Sequence, residues 1–528
     1  MSHLTLDHLL WRMRYVHPSA EIVVVGDPSD PSDSQRLSFA AVADRASALA
    51  HGLRDTLGLR TGDLVSVLGW NDLEHFEMLL GVPLAGGTLN TINLRLGVEN
   101  MTALALESGP RALVFNGALL AHPVVGDEIR QVADAALAAG VQLVVAGDGA
   151  HADYAEATSY GELIDAHRGR EWLPVVDDER TTAYLFHTSG TTGTPKTYSV
   201  SHRSAILHCL SQATVEATGI SSGDRVLPLA PFFHVNGWGL PLTCALTGAS
   251  LVLAGGDLQP ARIARLMVAE RVTVAAAVPT VWYGICAAVS AGDAPRPSEL
   301  REVLTGGDVL AESVWQSITS VLGVGVATAW GMTETMACST YERERPHERA
   351  GKPIPLVELR LEALADGAAG AAPGRLQIRG PFTVGDTTGA GEWFSTGDIA
   401  TIDGAGVLTI RDREKDLIKS GGEWIASAEL EQRLCAHPMV AAAAVVPMSD
   451  PRWVQRPVAY VVLHPEERED DVFAQLTAHL AEQFPRWWLP DDIRVIESLP
   501  MTTVGKVNKR ALRDLAELTP EKGAPIAN

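Results

Sequence analysis

The sequence predicts an α/β protein in which parallel sheets are covered by helices, followed by a β-rich segment and a small α+β domain. Three observations carry this expectation. Short Val/Leu/Ala-rich runs alternate with helical segments as far as about residue 330; the texture turns to Pro, Gly and strand-forming residues after residue 350; and strand and helix signals alternate again beyond the charged cluster Arg411-Asp412-Arg413-Glu414-Lys415-Asp416. At 528 residues the chain is too long for one hydrophobic core, so two or more domains are expected.

Residues 36 to 60 read as an amphipathic helix entered at Ser38, because Phe39, Val42, Ala46, Leu49 and Leu53 recur at spacings of three and four. A strand, Leu64-Val65-Ser66-Val67-Leu68, and a helix from Asn71 to Leu84 continue the alternation. The next strand-like runs are Ala112 to Phe115, Gln142 to Ala146, Arg225 to Leu229, Ser250 to Leu253, Thr273 to Ala277, Val303 to Leu304 and Val324 to Ala327. Later, Val357 to Leu361 and Arg375 to Ile378 read as strands joined by an Ala/Gly-rich hairpin connection at 363 to 374, and the tail from Pro520 reads as disordered.

Composition bounds the function. At 46% hydrophobic and 20% charged the chain is ordinary globular material, and its net charge of -22 argues against nucleic acid or an anionic membrane as partner. A polyanionic substrate would have to be met by locally placed Lys and Arg or by a metal. The five cysteines form no close pair, so neither a zinc site nor a disulfide framework is indicated. Residues 1 to 8 lack a basic segment before an apolar core and no run of eighteen apolar residues occurs, so a cytoplasmic protein is expected.

The stretch Thr188-Ser189-Gly190-Thr191-Thr192-Gly193-Thr194-Pro195-Lys196 follows the apolar run Ala183 to Phe186 and precedes a helix opening at Ser201. Glycines let backbone N–H groups approach an anion, hydroxyls donate, and the lysine balances charge, so the stretch reads as a phosphate cradle. It is not a Walker loop: only two residues separate Gly190 from Gly193, and Thr194-Pro195 intervene before Lys196. A Ser/Thr/Gly-rich surface turn would account for any three or four of these residues, but not for all of them in this order after an apolar strand.

Four constellations follow downstream. Trp330-Gly331-Met332-Thr333-Glu334 ends an apolar strand with a carboxylate for Mg²⁺ and a hydroxyl for phosphate. Ser395-Thr396-Gly397-Asp398 places an Asp in a turn, suited to two ribose hydroxyls. The third runs from Asp412 through Arg413, Lys415, Lys419, Gly421 and Gly422 to Ile425, and the fourth is Pro500-Met501-Thr502-Thr503-Val504-Gly505-Lys506. Each has an ordinary structural alternative: a helix-terminal charge for Glu334, an Asx turn for Asp398, a solvated charge run for Arg413 to Asp416 and a surface lysine for Lys506.

In this order and spacing the five motifs together resemble the adenylate-forming superfamily of acyl-CoA synthetases, firefly-type luciferases and peptide-synthetase adenylation domains, over roughly residues 30 to 515. The wording of Pro231-Phe232-Phe233-His234-Val235-Asn236-Gly237-Trp238-Gly239-Leu240-Pro241, of Lys419 to Ile425 and of Asn90 to Leu96 is most similar to medium-chain fatty acyl-CoA and methylthioalkanoate-CoA synthetases. The resemblance implies an N-terminal domain (1–412) of two doubly wound parallel sheets with a small β-barrel-like subdomain at about 345–412. A hinge (413–416), a small mobile α+β C-terminal domain (417–515) and a tail (516–528) would follow.

The resemblance further implies that a carboxylate attacks the α-phosphate of ATP, expelling Mg-pyrophosphate, and that the thiol of coenzyme A then attacks the acyl-AMP. Lys506 would bridge carboxylate and α-phosphate. Thr188, Ser189, Gly190, Thr191, Thr192, Gly193 and Lys196 would hold the outer phosphates; Thr333 and Glu334 would serve phosphate and Mg²⁺, with Trp330, Gly331 and Met332 beside the nucleotide. Asp398 and Arg413 would fix the ribose. Lys415 would be the pivot of a C-terminal rotation that brings in Lys419, Gly421 and Gly422 for the CoA step. His234, Trp238 and Gly306 would line the acyl channel, and Gly307 and Asp308 the adenine pocket. The acid would be hydrophobic and the acceptor CoA or an acyl carrier protein, with the enzyme a monomer or homodimer. The alternative is an acyl-adenylate ligase that performs mainly one half-reaction, possibly on a bulky secondary-metabolite acid, with a carrier or partner enzyme completing it.

Three residues depart from the family pattern. Thr197 stands where relatives usually have Gly, His187 where Tyr is commoner, and Asp308 where Ala or Ser is usual beside the adenine. None removes a reacting group.

Overall fold

The computed structural model describes residues 3–26, 33–107, 109–147, 153–172, 174–188, 196–364, 373–383, 392–421, 423–464, 471–501 and 507–518. They fall in two compact units. The first comprises Met1–Leu310, Val314–Glu358 and Arg379–Phe394, and the second Ala311–Ser313, Leu359–Ile378 and Ser395–Asn528.

Two sheets organise the first unit. The larger has nine strands, in the order Lys352–Pro353, Thr340–Glu342, Gly325–Trp330, Glu302–Gly306, Val274–Ala277, Arg225–Pro228, Ser250–Leu253, Glu21–Val24 and Gln35–Ser38. Its inner six strands are parallel and its edges antiparallel. The second has seven strands, in the order Thr158–Ser159, Gln142–Ala146, Ala112–Asn116, Leu64–Leu68, Thr88–Thr91, Thr182–Thr188 and Lys196–Ser201, parallel except for the last. Central strands such as Val274–Ala277 and Thr88–Thr91 are buried along their whole length, as parallel strands sandwiched between helices must be. One core gathers Val23, Leu227, Val252, Ile263, Met267, Trp282 and Val303; another gathers Leu68, Ile92, Met101, Phe115, Ile129 and Phe233.

Local chemistry sets where the helices start. Ser38 caps helix Phe39–Asp55 by accepting from the Ala41 N–H, and Ser201 caps His202–Gln212 by accepting from Ser204. The helix expected over 36 to 60 is therefore shorter at both ends. Arg36 and Leu37 pair instead with Val23 and Ile22 as an antiparallel edge strand, and Gly58, at φ +69°, lies in the turn beyond Asp55. Similarly, the helix expected from Asn71 starts at Leu73, because Asp72 is its cap, its Oδ1 accepting from His75 N at 2.8 Å. The Asn71 amide is used elsewhere: it donates to Pro228 O (2.8 Å) and Ala230 O (3.0 Å) and accepts from Phe232 N (2.8 Å).

The second unit contains a four-stranded sheet, in the order Glu358–Ala363, Gly374–Arg379, Phe394–Ile402 and Leu408–Arg413. It also contains a five-stranded sheet in which Val454–Leu463 lies between Val440–Asp450 and Ile418–Ser420 and is joined by Asp492–Val495. Helices Ser427–Cys435 and Val472–Ala481 cover one core through Leu430, Leu434, Leu476 and Leu480; helix Lys509–Leu518 seals another, where Leu512 and Ala516 meet Val446, Val458 and Tyr460. Mixed parallel sheets followed by a separate α+β unit are the fold class expected from the sequence. No helix among the described residues is long and apolar enough to cross a membrane.

Candidate active site

The phosphate-type loop sits between two strands of one hairpin. Thr182–Thr188 pairs on one side with Thr88–Thr91, in parallel, and on the other with Lys196–Ser201, in antiparallel register Phe186↔Tyr198, His187↔Thr197 and Thr188↔Lys196. Thr188 and Lys196 thus stand opposite each other at the loop's base, Lys196 exposed. Ser189, Gly190, Thr191, Thr192 and Gly193 lie outside the described residues, as do Gly422 and Lys506.

Because side chains alternate across a strand, the hairpin has two faces with different tasks. On one, the departures His187 and Thr197 are partners: His187 Nδ1 lies 3.0 Å from Thr197 Oγ1, and His187 Nε2 lies 2.6 Å from Asn90 Oδ1 on the neighbouring strand. Burial pushes the His187 pKa down to about 4, so the ring is neutral at pH 7. On the other face, Tyr198 lines one cavity with Glu334; burial first, and then that carboxylate, push its pKa up to about 12.

Glu334 reaches this face from the single turn Thr333–Thr335 that follows strand Gly325–Trp330. The turn is tied by the Thr335 hydroxyl, which donates to Met332 O (3.2 Å) and accepts from Met332 N (3.1 Å) and Ser339 Oγ (2.7 Å). Gly331 is dictated by sterics, since a Cβ there would lie 1.0 Å from Ala337 O. Tyr198, Ser204, Thr333, Glu334 and Phe382 line a small cavity. Among the described residues no cluster of three or more His, Cys, Asp or Glu side chains could cage a metal. A single carboxylate beside a hydroxyl suits Mg²⁺ that arrives already bound to a polyphosphate.

Beside it, Val235, Asn236, Gly237, Trp238 and Gly239 all have positive φ, between 47° and 75°. This left-handed turn is held by Gln212, whose Nε2 donates to Trp238 O at 2.8 Å, and by the Trp238 N–H to His234 O at 3.3 Å. It carries the Trp238 ring to the end of strand Glu302–Gly306: a Cβ on Gly307 would lie 3.7 Å from the indole, and one on Gly306 3.9 Å from it and 2.6 Å from Ala329 O. Trp238, Gly306 and Gly307 are thereby brought together. His234, the residue before the turn, is half-buried against Phe233, whereas Asp308 is exposed and its Oδ1 accepts from Val309 N at 2.8 Å.

In the second unit, Asp398 and Arg413 are cross-strand partners, Arg413 Nε lying 3.0 Å from Asp398 Oδ1. Lys415 is exposed in a turn closed by Asp416 N to Arg413 O (2.9 Å). Lys419 stands opposite Trp424, its Nζ 5.3 Å from the centre of the indole ring. Gly421, at φ +62°, has no room for a side chain because Trp453 would lie 2.7 Å from a Cβ.

Tyr198, Asn90 and Asn71 are the residues that sequence reasoning passed over. Tyr198 sits two positions beyond Lys196, and strand alternation in the hairpin was the signal that would have put it on the face of Thr188. Nothing local flags Asn90 or Asn71, whose partners are distant in sequence.

Comparison with known proteins identifies the family. A family model described as AMP-binding enzyme matches residues 11–385, and one described as AMP-binding enzyme C-terminal domain matches residues 429–506. A 3-methylmercaptopropionyl-CoA ligase of Ruegeria pomeroyi is 36% identical, with 97% of each chain covered. A long-chain-fatty-acid–CoA ligase of Thermus thermophilus is 37% identical, covering 91% of this chain and 90% of the relative. Among solved structures, the anthranilate CoA ligase AuaEII in complex with anthranoyl-AMP superposes with TM-score 0.83 at 23% identity, with 97% of each chain covered, which speaks to the fold. With a family model spanning most of its length and relatives above a third identical from end to end, the chain belongs to the AMP-binding enzyme family.

Proposed function

We propose that the protein activates a hydrophobic carboxylic acid with ATP, forming acyl-AMP and releasing pyrophosphate, and then transfers the acyl group to coenzyme A. The observation that carries the reading is the cavity that Thr333 and Glu334 share with Tyr198, a residue on the Thr188 face of the hairpin that bears the glycine-rich loop: a phosphate-type loop beside one carboxylate suited to a metal. Thr188 to Lys196 would hold the leaving phosphates, with Thr333 donating to them. Glu334 would hold Mg²⁺, which when bound supplies positive charge to the departing pyrophosphate. Asp398 would accept from the ribose hydroxyls, with Arg413 orienting its carboxylate from 3.0 Å. Lys506 would sit between the acid and the α-phosphate, spreading the charge of the in-line transition state.

His234, Trp238 and Gly306 would line the acyl channel, an apolar space that favours a hydrophobic acid; the end-to-end similarity to ligases of methylmercaptopropionyl and fatty acyl groups supports the same class. Lys419 and Gly421 would serve the CoA step, with Lys415 as the pivot between half-reactions. We place the protein in the cytoplasm, which supplies both ATP and CoA.

ATP–pyrophosphate exchange over a panel of acids, with CoA-thioester formation followed in parallel, tests the reading. Exchange and thioester with one hydrophobic class is the expected result. Exchange with no acid refutes adenylation; exchange without thioester favours transfer to another acceptor. Lys506→Ala should abolish exchange and leave thioester formation from preformed acyl-AMP largely intact.

A further inference from the structure

We infer that Thr197 and His187 are positioning residues that hold Thr188 and Lys196, the two residues at the base of the glycine-rich loop, in place for the phosphates of ATP; the role rests on the function proposed above. Thr197 and His187 form the cross-strand pair next to Thr188↔Lys196, with which the hairpin ends. Cross-strand side-chain bonds are what keep such a terminal pair from fraying. Asn90 donates both amide protons, to Ser66 Oγ and Leu104 O, so its Oδ1 accepts from His187 Nε2 at 2.6 Å. The neutral ring then offers Nδ1 as an acceptor, and the Thr197 hydroxyl donates to it across 3.0 Å.

The chain Thr197→His187→Asn90 moors an exposed end of the hairpin to a side chain buried in the neighbouring parallel strand. Alternation separates this mooring from the working face: Thr188 and Lys196 point the other way, to the side of Tyr198, which lines one cavity with Thr333 and Glu334. A loop base ordered in advance removes part of the entropy that phosphate binding would otherwise cost. Thr197 is also where this chain departs from the usual glycine, so the hydroxyl adds a tie that a glycine lacks. Because Thr197 is exposed, the tie competes with water and has the worth of one ordinary hydrogen bond, about threefold to tenfold in an equilibrium constant.

Full-length Thr197→Val keeps the branched shape and removes only the hydroxyl, whereas Thr197→Ser keeps the hydroxyl. Binding of ATP with Mg²⁺ is read by calorimetry, the KM for ATP by pyrophosphate exchange, and the second step by thioester formation from synthetic acyl-AMP. Amide hydrogen exchange of the free protein is read in peptides covering 182–188 and 196–201. Thr197→Val should weaken ATP binding about threefold to tenfold, raise the KM for ATP to match, and lower hairpin protection by the same factor. Its kcat for exchange and its thioester step should stay within about twofold, and Thr197→Ser should match the unsubstituted protein within about twofold in every readout. In a His187→Phe background the Val substitution should add nothing. Unchanged ATP binding or unchanged protection in Thr197→Val, an equal loss in Thr197→Ser, or an equal loss in the His187→Phe background overturns the role. Normal ATP binding without pyrophosphate exchange on any acid overturns adenylation instead, while the binding and protection ratios still decide the role of Thr197 and His187.

Discussion

Asn90 is the point where the sheet holds the base of the loop hairpin, and replacing it tests that anchoring directly. The side chain is 1% exposed. Its Nδ2 donates to Ser66 Oγ (3.1 Å) and to Leu104 O (3.0 Å), which uses both amide protons. Oδ1 is therefore an acceptor, and the proton in its 2.6 Å bond to His187 belongs to Nε2. Ser66 in turn donates to Ala105 O at 2.6 Å, so the network runs from the helix Val98–Leu106 to the hairpin.

Asn90→Leu keeps the number and branching of side-chain heavy atoms and deletes three hydrogen bonds, worth about 1 kcal/mol each, or about 3 kcal/mol in all. Spread over the first unit's roughly 370 residues, this lowers its unfolding temperature by about 4 °C, measured by scanning calorimetry. His187→Leu deletes one of the same bonds, at about 1–2 kcal/mol, because it leaves Asn90 Oδ1 buried and unpaired. The double variant should then fall short of the sum by about 1 kcal/mol. A loss below about 1 kcal/mol for Asn90→Leu, or strict additivity, would refute the network as the anchor.

Three further outcomes are expected. Asn236 sits at φ 51° with both amide atoms buried and unpaired among the described residues, so Asn236→Gly should stabilise the first unit by about 1 kcal/mol after the entropy cost of glycine; a lower melting temperature would contradict this. Burial pushes the pKa of His75, His187, His202 and His208 down to about 4, below the ordinary 6.5, so the unfolded chain binds more protons between those values. The contribution of these rings should be full above pH 6.5 and fall as pH drops toward 4, by about 1.4 kcal/mol per pH unit for each ring; His208→Phe should change the slope by that amount, and an unchanged slope would exclude His208. In the second unit Arg456 donates to Ser420 Oγ (3.0 Å), Trp487 O (2.6 Å) and Leu489 O (2.9 Å) and pairs with Asp491 (2.8 Å). Arg456→Met should cost about 3–5 kcal/mol, seen in denaturant unfolding of that unit, and a cost under about 1 kcal/mol would show that the pairing adds little.

Sequence by itself determined the elements and motifs whose signals are local. Alternating apolar runs marked the parallel strands, Ser38 and Ser201 marked helix starts, and the spacing from Thr188 to Lys196 and from Trp330 to Glu334 marked a phosphate and metal chemistry. These are legible because capping, periodicity and glycine sterics act over a few residues. Gly331 is such a case: the residue type already announces a backbone approach, though only the fold reveals Ala337 as what approaches.

Tertiary structure alone decided which residues support the motifs. Arg36 and Leu37 belong to an edge strand and not to a helix because a partner strand lies beside them, and Asn71 leaves its helix to bind a loop more than 150 positions away. Tyr198 comes to one cavity with Glu334, and Asn90 joins Ser66 to His187, only once strands far apart in the chain are placed in register. The physical reason is one of range: a buried hydrogen-bonding group must find a partner, but its own sequence neighbourhood does not say which.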